Sequence, residues 1–196
     1  VYSFLETGGR DGRREIWVGT NSGAAVLSSG RFETHGVEKG LPASQVRSLA
    51  LLRAKDGGQD VFASVVGSGL FRFDGRRWIA VDAAGAFRVA DAAVLLAVDD
   101  GEEPELWVGT EKSGLGHLVG GRWSAYGVAE GLPSDSVLSL LSTRGGAGTT
   151  VWVGTRGGGL AEMRGGRVVA VHDRGSGLPN NNVLSLAEVR RPDGRR

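Results

Sequence analysis

One interval organises this chain. Trp17-Val18-Gly19-Thr20, Phe62-Ala63-Ser64-Val65, Trp107-Val108-Gly109-Thr110 and Trp152-Val153-Gly154-Thr155 follow one another at 45 residues each time. A strict period of that length means several copies of one small unit, none of which buries its apolar face alone. The question of the fold thus reduces to the fold of the unit.

Each unit carries further landmarks in register. A Gly-Arg-aromatic step follows the Trp phrase at Gly30-Arg31-Phe32, Gly75-Arg76-Arg77-Trp78 and Gly121-Arg122-Trp123, with Gly166-Arg167-Val168 as its fourth form. Next comes Gly-Leu-Pro at Gly40, Gly131 and Gly177, degraded in the second unit to Gly85-Ala86-Phe87. Four residues beyond each Pro an apolar run begins, at Val46, Val137 and Val183, and the opening Val1-Tyr2-Ser3-Phe4-Leu5 is another copy of it. These runs are short, rich in β-branched and aromatic residues, and bounded by Gly, Asn, Asp, Ser or Pro, which predicts strands. Glycine supplies 34 of 196 residues, mostly between the runs, where turns require positive φ.

Four strands per unit follow, which we call A to D. In the fourth unit they are Val137 to Ser142, Val151 to Thr155, Leu160 to Arg164 and Arg167 to Asp173. Four short antiparallel strands in such a unit make one propeller blade. The expected fold is all-β: a β-propeller of four blades plus the first strand of a fifth, as one domain. Blade one spans about residues 1–45, blade two 46–91, blade three 92–136 and blade four 137–182, with the next A strand within 183–196. A closed ring of four has no place for a second terminal A strand, so the chain reads as an arc of a larger propeller. The unpaired edge of that last strand predicts self-association.

The units lack the Gly-His to Trp-Asp signature of WD repeats and the paired glycines of kelch repeats. They resemble the two-component regulator propeller repeat, whose pattern runs Leu-Trp-Ile/Val-Gly-Thr, Gly-Gly-Leu, Gly-x-Phe/Trp, Tyr and Gly-Leu-Pro-x-x-x-Val. The resemblance covers nearly the whole chain, closely in units three and four and loosely in unit two. It implies rings of about seven blades in the extracytoplasmic sensor region of a bacterial signalling protein, on the periplasmic or outer side of the inner membrane. It also implies a homodimeric parent and a separate output module, commonly a histidine kinase.

Composition excludes several partners. Lys and Arg total 23 against 22 Asp and Glu, which provides no overall field for nucleic acid or an anionic membrane. No apolar stretch is long enough to span a bilayer, so no membrane contact is expected of this segment. With zero Cys there is neither a disulfide framework nor Cys-ligated zinc. The cluster Arg190, Arg191, Arg195 and Arg196 falls where a hairpin turn belongs and reads as solvated.

Catalytic signals fail one by one. The glycine-rich stretches after Gly109 and Gly154 lack a complete phosphate-loop pattern and lead into strands, not into a helix N-terminus. No Ser has the glycine flanks of a hydrolase elbow. His35 and His172 stand seven residues before Pro42 and Pro179, at the end of outer strand D of separate blades, where rim packing is the simplest reading. His117 on strand C reads as a surface or edge residue. The acidic run Asp99 to Glu103 lacks calcium-loop spacing. The recurring Trp residues read as blade-to-blade core, each burying roughly 150–250 Å². The Ser of strand A, at Ser3, Ser48, Ser139 and Ser185, reads as the small residue tolerated near the axis. No enzyme and no cofactor are expected.

A propeller presents its D–A and B–C loops on one face around the channel, and that face is where ligands are expected. The candidates there are Asn21, Ser44, Gln45, Glu111, Lys112, Asp135, Arg156, Asn180, Asn181 and Asn182, polar groups suited to a polar solute or glycan and also ordinary turn formers. The expected function is ligand sensing for a separate output module. The alternative is a free-standing propeller that binds a protein or a carbohydrate.

Overall fold

The computed structural model describes residues 1–9, 12–53, 57–83, 87–99, 103–146 and 148–189. Lys55-Asp56 of the second A–B turn, Gly85-Ala86, Asp100-Gly101-Glu102 and the Arg190, Arg191, Arg195, Arg196 cluster lie outside these residues. The chain folds into four separate four-stranded antiparallel sheets. Blade one is β1 (Ser3–Gly8), β2 (Arg14–Thr20), β3 (Gly23–Ser28) and β4 (Arg31–His35). Blade two is β5 (Val46–Arg53), β6 (Gln59–Val65), β7 (Gly69–Phe73) and β8 (Trp78–Ala80). Blade three is β9 (Ala92–Val98), β10 (Glu105–Thr110), β11 (Leu115–Val119) and β12 (Arg122–Tyr126). Blade four is β13 (Val137–Gly145), β14 (Gly148–Thr155), β15 (Leu160–Arg164) and β16 (Arg167–His172). Every sheet is a meander in chain order, and β1, β5, β9 and β13 pack in sequence as the inner strands of a β-propeller arc.

Strand alternation sorts the core into layers between blades. On the second strand of each blade, Trp17, Phe62 and Trp107 point to the following blade and are buried, whereas Ala63, Val108 and Val153 point to the preceding one. The Leu of Gly-Leu-Pro completes two of these layers: Leu41 plugs blades one and two, Leu132 plugs blades three and four. Phe87 takes that place between blades two and three. A 3₁₀ turn precedes each Gly-Leu-Pro, over Val37–Lys39, Val128–Glu130 and Arg174–Ser176. It ends on a left-handed glycine, Gly40, Gly131 or Gly177, that only glycine adopts without strain.

The Trp-Val-Gly-Thr phrase has a physical reason at each position. A Cβ on Gly109 would lie 2.5 Å from Val137 Cγ1 and 2.6 Å from Val94 Cγ1, so the glycine admits the next inner strand. The Thr closes the turn that follows: Thr110 Oγ1 donates to Gly114 O and Thr155 Oγ1 to Gly159 O, both at 2.8 Å. The strand-A serines do more than fit. Ser48 Oγ accepts from Leu95 N at 3.1 Å and Ser139 Oγ donates to Val183 O at 2.9 Å, stitching the inner strands of blades two and four to the segments that follow them.

Three further expectations change. Residues 183–189 begin against blade four, where Val183 N donates to Thr155 O at 3.0 Å, but carry no assigned strand, because no second strand pairs with them. His35, expected to pack at the rim, is packed but deep, 2% exposed inside a cluster of rings with Trp17, Phe73 and Trp78. Likewise His117 is no surface residue: its ring stacks on Trp107 at 3.8 Å and its Nε2 meets Glu105 Oε2 at 3.0 Å. His172 keeps the expected place at the rim, its side chain 42% exposed and its ring 6.1 Å from that of Trp152.

Candidate functional site at the axial mouth

The inner strands converge on a cleft of about 390 Å³ lined by Tyr2, Arg47, Ala93, Leu138 and Leu184, with Glu111 and Arg156 at its edge. These five stand at one register position, the second residue of each inner segment. In blades two to four that position is a β-bulge. The ladder pairs Val46 with Val65 and Ser48 with Ser64, skipping Arg47, and it skips Ala93 and Leu138 in the same way. A bulged residue leaves the alternation of the strand, so its side chain turns to the axis, neither into one layer nor the other.

The polar part of the cleft is a short charge relay. Arg47 Nη1 pairs with Glu111 Oε1, and Arg156 stands close enough to add to the field on the same carboxylate. The Arg47 guanidinium, with Lys112 and Arg156 contributing, holds the Glu111 carboxyl below its usual range. Arg156 Nε also reaches Ser136 Oγ at 3.4 Å. On the blade-one side the Tyr2 hydroxyl donates to Asn21 Oδ1 at 2.8 Å. The set is two guanidiniums, one carboxylate and one phenol, which can orient hydroxyls and an anionic group by charge-assisted hydrogen bonds.

The structure thus brings Glu111 and Arg156 to the same axial cleft and sets Asn21 on Tyr2, which also lines it. The other candidates serve the loops. Asp135 Oδ1 accepts from Val128 N at 2.9 Å and Asn181 Oδ1 from Arg174 N at 2.8 Å, the same clamp on the 3₁₀ turn in two blades. Asn182 Oδ1 accepts from Gly157 N and Asn180 Oδ1 from Asn182 N. Ser44 Oγ donates to Val66 O, Gln45 O accepts from Val66 N, and Lys112 is exposed beside Glu111. Arg47 and Tyr2 are the residues that sequence reasoning missed, although their shared place, one after the first residue of each apolar run, was there to be read. Among the described residues no group of three or more His, Asp or Glu could hold a metal ion.

No family model matches the chain, and no curated protein matches it. Solved structures do. The extracellular domain of a protein described as a hybrid two-component system, from B. thetaiotaomicron, superposes on 99% of this chain with a TM-score of 0.68 at 17% identity. This chain spans about 25% of that structure's length. PorZ, an essential bacterial surface component of the type-IX secretion system of Porphyromonas gingivalis, matches 97% of the chain and 37% of its own, with a TM-score of 0.48 at 13% identity. The BP39L lectin from Burkholderia pseudomallei matches 81% of this chain and 52% of its own, with a TM-score of 0.49 at 16% identity. The first likeness shows a shared fold, and the other two are too remote to argue from. No helix among the described residues is long and apolar enough to cross a membrane.

Proposed function

We propose that this chain is a ligand-sensing propeller segment from the extracytoplasmic region of a bacterial signalling protein, binding a polar solute such as a carbohydrate at the axial mouth and acting on a separate, dimeric output module. The observation that carries the reading is the axial cleft, where bulged residues from successive blades and the Arg47–Glu111–Arg156 set converge on one small space. Likeness over nearly the full chain to an extracellular domain of a two-component system protein supports the setting. A ligand that bridges several blades binds one packing of the arc better than another, and that difference biases an attached module.

A ring of about seven blades is part of the proposal, the number following from the resemblance and the presence of further blades being supported by the end faces. Phe4 is 70% exposed, while Leu49 and Leu95, its counterparts in blades two and three, are 7% and 8% exposed under the preceding blade. Further blades would cover Phe4 on one side and Trp152 on the other.

Thermal unfolding in the presence of neutral and acidic oligosaccharides tests the site. A stabilising solute should raise Tm in the native chain, and Arg47→Ala should abolish most of that rise, since only binding to the folded state stabilises it. Absence of any response, together with capture of a protein partner by the axial face, would favour a free-standing interaction propeller. Chemical turnover of the solute would overturn both readings.

A further inference from the structure

A larger recess lies away from the axis, between blades one and two. It encloses about 750 Å³ and runs from the A–B and C–D turns at Thr7–Gly9, Gly57–Gln59 and Asp74–Arg76 to the 3₁₀ turn that carries Lys39. That volume falls in the range of about 300–1,000 Å³ usual for small-molecule sites. Its floor is apolar, with Trp17, Val26, Val61 and Phe73, and its walls bear Glu15, Glu33, His35 and Lys39.

The hydrogen-bond inventory around His35 does not balance. A neutral imidazole offers one N–H and one lone pair. Trp78 Nε1, which can only donate, stands 3.1 Å from His35 Nδ1, and Lys39 Nζ stands 3.1 Å from His35 Nε2. A lysine ammonium also only donates. Whichever ring nitrogen bears the proton, one of the two contacts sets donor against donor, and protonating the ring adds a donor where an acceptor is wanted. An oxygen that enters from the cleft can accept from His35 Nε2–H and the Lys39 ammonium together, leaving Nδ1 to Trp78. Glu33 meets the same ammonium but from the exposed end, and makes no hydrogen bond to the ring.

We propose that the cleft between blades one and two binds a small zwitterion, an α-amino acid with an apolar side chain, whose carboxylate is received by His35 and Lys39. The carboxylate satisfies both surplus donors with charge-assisted bonds. The ammonium is directed to Glu15, which lines the same cleft and whose carboxylate accepts a long 3.4 Å bond from Thr7 Oγ1. The side chain covers Trp17 and Phe73, whose rings already pack at 5.3 Å. This site shares no residue with the axial mouth, so either assignment stands or falls without the other.

Calorimetric titration of the full chain with L-phenylalanine and L-leucine tests the assignment, with the change in tryptophan fluorescence as a second readout. Phenylalaninamide lacks the carboxylate, N-acetylphenylalanine lacks the ammonium, and D-glucuronate has a carboxylate on a sugar. Binding of the free amino acids is expected, weakened about tenfold or more for the amide and the acetyl derivative. Lys39→Gln should weaken it by a similar factor at unchanged Tm, and Arg47→Ala should leave it unaltered. No binding up to about 10 mM, equal binding of acid and amide, or native affinity in Lys39→Gln would overturn the proposal. Glucuronate binding more tightly than either amino acid would overturn the zwitterion and identify a sugar acid as the occupant.

Discussion

His35 and His172 hold the same register in blades one and four, yet their surroundings differ completely. His35 packs on Trp17 of its own blade and is covered by Trp78 and Phe73 of blade two, with one edge on the cleft between them, while the His172 side chain is 42% exposed. Burial first, and then the Lys39 ammonium, lowers the His35 pKa from 6.5 to about 4, against weaker opposing pulls from Glu33 and Glu38. The unfolded chain takes up this proton near pH 6.5 and the folded chain only near pH 4. Stability therefore falls as pH drops from about 6.5 towards 4 and is unaffected by this group above that window, the loss reaching at most about 3 kcal/mol. Urea unfolding at pH 7.5 and 4.5 should show a larger loss in the native chain than in His35→Gln, by about 2 kcal/mol. Equal losses would mean that another group governs the acid limb. The periodicity located both histidines at a strand end, but it could not tell which one a neighbouring blade covers. That cover comes from Trp78, a residue of the worn second unit, where the repeat pattern is least regular.

The Gly-Leu-Pro turn shows how an element acts beyond its own blade. Backbone bonds fold the turn on itself: Leu41 N donates to Gly36 O, Leu132 N to Gly127 O and Leu178 N to Asp173 O, at 2.9–3.0 Å. The Leu is thus delivered to the interface with the next blade by a turn that forms locally. Leu132 is 1% exposed between blades three and four, whereas Leu178, in an identical turn, is only half-buried because no further blade is packed on it. Leu132→Ala should cost about 2–4 kcal/mol and Leu178→Ala less than about 1 kcal/mol, measured as the shift in chemical unfolding. Equal costs would show that the Leu serves its own turn and not the interface. The short strands and their turns were legible because glycine and apolar alternation mark them directly. The bulges at Arg47, Ala93 and Leu138 were not, since a bulge is a property of the pairing between two strands and leaves no composition of its own.

At the scale of the molecule, the repeat revealed the blades and their order but not the site. The candidates were drawn from the loops that every propeller turns to one face, and of these Glu111 and Arg156 reach the axial cleft. The loops also need their own clamps, and Asp135 and Asn181 supply them. A polar residue in a turn looks the same in sequence whether it holds the turn or faces outward. The uncovered end faces make a further prediction. Phe4, 70% exposed, should drive the isolated chain to self-associate, and Phe4→Lys should return it towards monomer in light scattering. A native chain that stays monomeric at high concentration would contradict this.

In blades two to four the residue facing the axis is the one that the strand ladder skips. Tyr2, Arg47, Ala93, Leu138 and Leu184 already differ in size, charge and polarity, while the glycines, serines and threonines around them keep the blades joined. Folding and recognition are thereby assigned to different positions of one repeat. Descendants of such a chain can exchange their axial side chains one at a time, trying new solutes on an unchanged frame.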